Sequence, residues 1–308
     1  MADDGTRRAT HAGSWYSKDA RELNSQLSAW LDAVAEHHTP ARIIIAPHAG
    51  YTYCGDTAAY AYAQIDPSTT KRVFILGPSH RAYFDCCALP VFEEYATPLG
   101  NITLDTEVLQ ELRASGDFKV MSQKVDEVEH SIEMQLPYLQ KIMKGQQYTV
   151  IPVLVGQIDP TQASHYGQLL ATYLTDPATV CIVSTDFCHW GAHFDHRPVD
   201  KKYAEIHLSI EATDRLGMTL IEHKDTQGFE DYLHRTGNTI CGRYPLQVML
   251  HAVSALERSS DPVEVRVKFL AYSQSSKVET RSDSSVSYAA GSATWKTSTS
   301  LANHCAHH

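Results

Sequence analysis

Two histidines, His48 and His80, occupy the same position relative to two apolar runs. The first run, 41–46, and the second, 72–77, are each followed by a proline and then, within two residues, by the histidine. Apolar runs of this length are typical of buried strands in a parallel sheet. Ligands bind such sheets in the crevice outside the carboxyl ends of the strands. We therefore expect the two imidazoles to converge on one site.

A cysteine later in the chain could complete a metal-binding set. Cys241 lies shortly before Pro245, which opens a run of helical apolar spacing, so we expect the thiol at a helix N-terminus, where the helix dipole favours a thiolate. Two imidazoles and a thiolate suit zinc, copper(I) or iron(II). A structural zinc would need a fourth ligand, and no Cys-x-x-Cys pair supplies it. The pattern predicts an open metal site at His48, His80 and Cys241; the alternatives are hydrogen-bonded histidines and a buried structural cysteine.

Further ionisable residues follow a third apolar run. Residues 179–185 have the pattern of a buried strand, and Asp186 and His189 come after it. These two could act as a carboxylate ligand and a general base, or as a pair that orients the other imidazoles. A helix N-cap and a packed loop residue are the alternatives. His130 and Glu133, one turn apart in a predicted helix, are further candidates for groups just outside the ligand set.

Strand and helix patterns alternate along the chain that carries these residues. Residues 41–80 have the order strand, helix, strand, a βαβ unit with a right-handed crossover, and Asp56 is the predicted N-cap of its helix. Residues 263–269 alternate strictly between polar and apolar, which is typical of a half-exposed strand. The patterns predict an α/β fold: a single domain with a mixed, largely parallel central sheet flanked by helices.

Length and composition favour one globular domain. The chain has 308 residues, of which 43% are apolar and 20% charged, as in ordinary globular proteins. No stretch before residue 296 has the composition of a linker. We expect one domain over 1–295 and a disordered tail over 296–308, where serine, threonine and histidine predominate.

Charge and hydropathy exclude two classes of partner. The formal net charge is −10 and no lysine or arginine cluster occurs, which argues against nucleic acid. No apolar run approaches the ~18 residues of a membrane span, and the N-terminus lacks the apolar region of a secretion signal. Seven cysteines without framework spacing are then expected to be reduced. We expect a cytoplasmic protein with access to the nucleus.

Seven blocks of sequence resemble the Memo family, the mediators of ErbB2-driven cell motility. The resemblance runs in unbroken order from about residue 9 to 294 and leaves out only the tail. The blocks are His-Ala-Gly-Ser-Trp-Tyr (11–16), Ile-Ile-Ala-Pro-His-Ala-Gly-Tyr-Thr-Tyr-Cys-Gly (44–55), Phe-Ile-Leu-Gly-Pro-Ser-His (74–80), Glu-His-Ser-Ile-Glu-Met-Gln-Leu-Pro-Tyr (129–138), Ser-Thr-Asp-Phe-Cys-His-Trp-Gly (184–191), Asn-Thr-Ile-Cys-Gly (238–242) and Asp-Ser-Ser-Val-Ser-Tyr-Ala-Ala-Gly (283–291).

The resemblance implies a fold similar to LigB-type class III extradiol dioxygenases, which hold a non-haem iron with two histidines and a carboxylate. In the Memo-like pattern His48 and His80 remain imidazoles, whereas Cys241 supplies sulfur where the dioxygenases have a glutamate. Asp186 matches a pocket residue, and His189 is similar in place to the dioxygenase base. The resemblance also implies copper or iron binding, a role in redox and metal homeostasis, and motility signalling through phosphotyrosine-containing partners.

Three functions are compatible with these residues. The first is a metal-binding redox or metal-homeostasis protein that works through protein partners. The second is a dioxygenase of small aromatic diols, in which Asp186 replaces the missing carboxylate and His189 is the base. The third is a module that binds a peptide or phosphotyrosine segment without metal. Thiolate shifts metal preference from O₂-activating iron(II) toward copper(I) or zinc, so the first is favoured; if the chain is an enzyme, we expect a metal-dependent oxidoreductase.

Overall fold

The computed structural model describes residues 5–295, so the tail predicted over 296–308 lies outside the described residues. The strands are β1 (Thr6–Arg7), β2 (Ile43–Ala46), β3 (Arg72–Pro78), β4 (Cys87–Leu89), β5 (Glu94–Tyr95), β6 (Ile102–Thr103), β7 (Lys119–Val120), β8 (Thr149–Val155), β9 (Thr179–Ser184), β10 (His189–Trp190), β11 (Arg266–Gln274) and β12 (Ser285–Thr294). The helices are α1 (Ala20–Asp32), α2 (Tyr51–Tyr62), α3 (Thr106–Ala114), α4 (Gln123–Val128), α5 (Leu136–Ile142), α6 (Pro160–Leu174), α7 (Ile206–Glu222), α8 (Thr226–Thr236) and α9 (Arg243–Glu257).

A nine-stranded sheet runs through the middle of the described chain. Its order is β10-β12-β2-β9-β3-β8-β4-β7, and β11 pairs with β12. The four central strands β2, β9, β3 and β8 are parallel to one another, whereas β12 and β4 add to either side in the antiparallel direction. The predicted mixed, largely parallel α/β sheet flanked by helices is therefore confirmed. A separate three-stranded sheet has the order β1-β5-β6.

Helices cover both faces of the parallel strands. α2 connects β2 to β3 in one direction along the sheet, whereas α6 connects β8 to β9 in the other. Because βαβ crossovers are right-handed, opposite directions place the two helices on opposite faces. The contacts agree, since α2 packs with α1 and α5, and α6 packs with α9. Two-sided cover explains why the central strands are buried almost without alternation.

The helix after β2 begins earlier than its sequence pattern predicts. We expected Asp56 as N-cap, but α2 begins at Tyr51 with Gly50 as its N-cap. The early start is supported by tertiary contact, because the buried Tyr51 hydroxyl donates to the Met134 carbonyl at 2.7 Å. The connection from β2 to α2 is thus only a few residues long, and His48 lies within it.

The half-exposed strand is also displaced from its predicted position. We expected residues 263–269, whereas β11 spans Arg266–Gln274 and pairs with β12 along its length. A register shift between Phe269 and Ala271 interrupts the ladder. Because such a bulge breaks the period of two, the alternating pattern stops there although the strand continues.

The central strands bring three predicted site residues to one edge. β2, β9 and β3 are adjacent and parallel, so their carboxyl ends meet, and His48, Asp186 and His80 follow within two residues of those ends. Within residues 5–295, no helix combines the length and apolar character needed to cross a lipid bilayer.

Candidate metal centre

The structure brings together the side chains predicted as metal ligands. Candidate ligand atoms of His48, His80 and Cys241 all lie within 4.8 Å of one another. The Cys241 Sγ is 3.1 Å from the His48 Nε2. The two imidazole rings are 5.2 Å apart between centroids and nearly perpendicular, at 77°. Residues separated by up to 193 positions therefore converge on one point.

Cys241 reaches the strand ends because the residue after it is a glycine. Gly242 is the N-cap of α9, and its backbone N–H donates to the Thr185 hydroxyl at 3.0 Å. A Cβ at this position would collide with the Thr185 side chain and lie 2.6 Å from the Ser184 carbonyl oxygen. The Cys241 sulfur accepts from the Asp186 backbone N–H at 3.2 Å. The close approach of α9 to β9 therefore fixes where the sulfur lies.

A hydrogen-bond chain fixes the tautomer of neutral His48. The Ser184 hydroxyl donates its only hydrogen to the Ser131 carbonyl at 2.7 Å and accepts from the Gln135 side-chain amide at 2.9 Å. The His48 Nδ1 lies 2.7 Å from the same oxygen, so Nδ1–H must be the donor. Nε2 then carries the lone pair, and Nε2 is the atom that faces Cys241.

A carboxylate orients the second imidazole. Glu129 accepts from the His80 backbone N–H at 2.7 Å and lies 2.9 Å from its Nδ1. Burial disfavours the charged carboxylate, but His80 and His130 outweigh that and hold the Glu129 pKa well below its usual range. A carboxylate can only accept, so Nδ1 carries hydrogen and Nε2 is left as the potential ligand atom. Carboxylate–imidazole pairs of this kind orient metal ligands.

The sulfur is set up as a thiolate. Burial opposes the charged form, but His48 and His80 outweigh burial and lower the Cys241 pKa to about 6. Burial likewise opposes charge on His80, and its hydrogen bonds with Cys241 and Glu129 outweigh burial and raise the His80 pKa to about 10. These shifts show that a positive charge next to the Cys241 sulfur is favourable. A metal cation would bring such a charge to the same place.

Asp186 lies beside the three candidate ligands, and one of its oxygens is hydrogen-bonded to a backbone N–H group. Its Oδ1 accepts from the His48 backbone N–H at 2.9 Å, and its Oδ2 is 4.0 Å from the His48 Nε2. Asp186 is buried, and burial raises its pKa despite the opposing effect of the nearby His189 side chain. These contacts are compatible with the alternative of a group that orients the histidine.

His189 lines a pocket, and backbone carbonyls bind one of its two ring nitrogens. Its Nδ1 lies 2.9 Å from the Phe187 carbonyl and 3.1 Å from the Thr239 carbonyl. Carbonyls only accept, so Nδ1 is protonated and Nε2 is unprotonated in the neutral ring. His189, His80 and Cys241 line the same pocket of about 360 Å³. This arrangement is compatible with the predicted general base.

The structure places the other two candidate residues, His130 and Glu133, in different surroundings. The His130 ring stacks on His80 at 4.5 Å between centroids and meets the His48 ring edge-on at 5.3 Å. Glu133 instead binds Arg7 at 2.7 Å and the His11 Nδ1 at 2.8 Å. The expectation that the pair lies on one helix is wrong: His130 precedes the 3₁₀ turn Glu133–Gln135. Of these two residues, His130 therefore lies next to the predicted ligands and Glu133 does not.

Sequence reasoning missed the two residues that orient the imidazoles, Glu129 and Ser184. Glu129 had a signal, because it is a carboxylate directly before His130, within one of the seven blocks that resemble the Memo family. Ser184 had a weaker one, as the only hydroxyl residue among the last four of an apolar strand. Neither signal identifies the histidine that the residue contacts, and that contact makes the residue one that orients a ligand.

The chain matches known proteins along almost its whole length. The model of the Memo family, described as Memo-like protein, matches residues 7–292. Protein MEMO1 of Homo sapiens is 48% identical over 290 residues, 94% of this chain and 97% of that protein. Protein MEMO1 of Danio rerio is 49% identical over 287 residues, 92% and 96% of the two chains. Protein memo-1 homolog of Caenorhabditis elegans is 45% identical over 287 residues, 93% and 82%.

A solved structure of an uncharacterized Escherichia coli protein is also similar, at 12% identity and a TM-score of 0.47, covering 81% of this chain and 99% of that one. The family match rests on the sequence relatives, whose identity is far above chance over nearly the full chain. The chain belongs to the Memo family.

Proposed function

We propose that this protein binds copper or iron through His48, His80 and Cys241, and that it serves a redox or metal-homeostasis role in the cytoplasm. The observation that carries the proposal is the convergence of the three ligand atoms within 4.8 Å. Zinc also suits the set by ligand type. Bound there, copper or iron would supply one-electron redox chemistry.

The donor set fits such a metal in position, and the metal would take the place of the proton that His80, with its pKa raised to about 10, holds on Nε2. The Nδ1–H groups of His48 and His80 are held by Ser184 and Glu129, which leaves each Nε2 for a metal. Cys241 contributes a sulfur whose low pKa favours the thiolate. Thiolate and imidazole together favour copper(I), zinc or iron over hard cations such as magnesium.

Metal titration of purified protein tests this proposal. Wild type and Cys241→Ser are stripped with chelator and titrated with copper(I), iron(II) and zinc in competition with a chromophoric chelator. We expect the serine variant to bind copper(I) at least about tenfold more weakly, since a soft donor is lost. Cys86→Ser, a change of the same kind at a residue outside the cluster, is the matched control. Equal copper(I) and iron(II) affinity in wild type and Cys241→Ser would count against the proposal.

The pocket beside His189 supports a second candidate, a dioxygenase of small aromatic diols. The unprotonated Nε2 of His189 would accept a proton from a diol hydroxyl, as a general base requires. Asp186 supports it less, because its Oδ1 is bound to the His48 backbone N–H. Anaerobic iron(II) loading followed by O₂ uptake with a panel of catechols tests this candidate, with His189→Gln as the variant. Uptake equal to that of protein-free iron(II) would remove it.

Partner binding is the third candidate, as a module for phosphotyrosine peptides in motility signalling. Arg243 lines the same pocket as His80 and Cys241, and an arginine there offers paired donors to a phosphate group. Affinity for a phosphotyrosine peptide that survives chelation and His48→Ala would support a metal-independent module. Affinity that disappears with the metal would instead make partner binding a property of the metal site.

A further inference from the structure

A second concave site lies at the opposite edge of the sheet from the metal centre. Its cavity measures about 850 Å³, and its lining includes Lys71 and Thr149. Lys71 directly precedes β3, and Thr149 is the first residue of β8, whereas the candidate ligands follow the carboxyl ends of the strands. Strands of seven residues place the two edges roughly 20 Å apart. We call this cavity the basic cleft.

The basic cleft is positively charged on a chain that is acidic overall. Arg21, Lys71, Lys141 and Lys144 line it, and its lining contains no aspartate or glutamate, although the chain carries a net charge of −10. Within residues 5–295, no ion pair joins any of these four side chains to a carboxylate. Cations concentrated in a concave surface raise the local concentration of anions.

Lys141 shows that the charge is built into the cleft rather than scattered on the surface. It is half-buried on α5, and its Nζ donates to the Asn24 side-chain carbonyl at 2.8 Å and to the Ser28 hydroxyl at 2.6 Å. Both partners are neutral, and an ammonium group has three hydrogens to donate. One donor is therefore left over on a cation that has been oriented without a counter-charge.

Apolar side chains in part of the wall suit an organic body rather than a bare ion. Ile102 and Met143 are buried and Leu99 is half-buried, and all three line the cavity. Pockets of about 300–1,000 Å³ with apolar walls and a few polar groups bind small molecules. A cavity of this size holds much more than one phosphate ion.

We propose that the basic cleft binds a small organic phosphate, with its phosphate at Lys71, Lys141 and Lys144 and its body against Met143. Phosphate fits because it is a multiply charged acceptor, and lysine ammonium groups bind it as point charges. The proposal does not depend on the metal centre, because the two sites share no lining residue.

Calorimetry on the full chain, kept free of metal by chelator, tests the proposal. AMP is the first probe, and adenosine is its control without the phosphate. Ribose 5-phosphate and phenyl phosphate carry the phosphate on different organic groups. We expect at least one phosphate to bind with a Kd below about 1 mM and AMP to bind at least about tenfold tighter than adenosine. Binding should weaken between low and high salt, since exposed charges are screened.

Variants connect the binding to the cleft. Lys144→Gln, on an exposed side chain, and Lys141→Gln should each weaken binding about tenfold, whereas Lys201→Gln, the same charge change outside the cleft, should not. The proposal is overturned if all three phosphates bind more weakly than 1 mM, if adenosine binds as tightly as AMP, or if Lys201→Gln has the same effect as Lys144→Gln. A phosphopeptide that binds tenfold tighter than every small phosphate would overturn the small-molecule class.

Discussion

The Nδ1 of His80 lies 2.9 Å from the Oε1 of Glu129, and the same carboxylate accepts the His80 backbone N–H at 2.7 Å. One buried residue therefore fixes both the ring and the backbone of a candidate ligand. Glu129 also accepts from the backbone N–H groups of His130 and Ser131, both at 3.0 Å, and its Oε1 lies 3.4 Å from the His130 Nδ1. Its negative charge thus helps to hold His80 with Nε2 toward Cys241.

Glu129→Gln should weaken metal binding about 10- to 100-fold, the usual effect of losing a group that orients a metal ligand. The amide lacks the charge that favours the His80 Nδ1–H, and its NH₂ cannot accept a hydrogen bond. Glu127→Gln makes the same change two residues away, at a side chain paired with the exposed Arg8, and should leave affinity unchanged. Competition titration with copper(I) measures both; equal affinities for the two variants would contradict the assigned role of Glu129.

Gly242→Ala should lower metal affinity without touching a ligand. The new Cβ collides with Thr185 and Ser184, so the backbone must shift by an amount that costs about 1–3 kcal/mol in stability and moves the Cys241 sulfur. Gly116→Ala is the control, because its Cβ meets nothing within 4 Å and its positive φ of +82° costs stability alone. Copper(I) titration beside urea unfolding separates the effects. Unchanged affinity in a destabilised Gly242→Ala would contradict the prediction.

The thiolate prediction can be tested by alkylation at varied pH. With its pKa lowered to about 6, Cys241 in chelator-treated protein should react with iodoacetamide at a rate that rises to half its maximum near pH 6 and levels off above it. Burial raises the pKa of Cys54 well above its usual value, so that thiol should stay unreactive. Mass spectrometry of the labelled peptides follows each site, and a Cys241 midpoint near pH 9 would show that the histidines do not stabilise the thiolate.

Stability should depend on pH through Glu133, away from the ligands. Burial opposes its charge, but His11 and Arg7 outweigh burial and lower the Glu133 pKa to about 2. A depressed carboxyl pKa stabilises the folded state above the unfolded pKa of 4.5, and this contribution is lost as pH falls through 2. The shift corresponds to about 3 kcal/mol at pH 7.

Glu133→Gln should therefore lower the free energy of unfolding by about 3 kcal/mol at pH 7, and the difference from wild type should shrink between pH 4.5 and 2. Urea unfolding at a series of pH values measures it. Glu127→Gln, which changes a carboxylate of an exposed pair with Arg8, should cost about 1 kcal/mol or less. A difference for Glu133→Gln that stays constant down to pH 2 would contradict the assignment.

The sequence was informative where position along a strand determines position in space. His48 and His80 could be paired because parallel strands place their carboxyl ends at one edge, and Cys241 could be added because a helix start favours a thiolate. The supporting contacts could not be predicted in this way. Ser184 lies 136 positions from His48, and Glu129 lies 49 from His80, and these pairings depend on how separate segments pack.

The predicted boundaries of α2 and β11 were wrong for the same physical reason, because tertiary contacts determine where these elements begin and end. The start of α2 at Tyr51 is stabilised by a contact with Met134, and the extension of β11 to Gln274 depends on its pairing with β12. Local signals, an N-cap aspartate and an alternating run, do not contain this information.

X-ray absorption spectroscopy of copper(I)-loaded protein tests the central claim most directly. Wild type should show sulfur and imidazole nitrogen bound to the metal, and Cys241→Ser should lose the sulfur while retaining nitrogen. A wild-type spectrum without sulfur, or one identical to that of Cys241→Ser, would contradict a metal centre built from His48, His80 and Cys241.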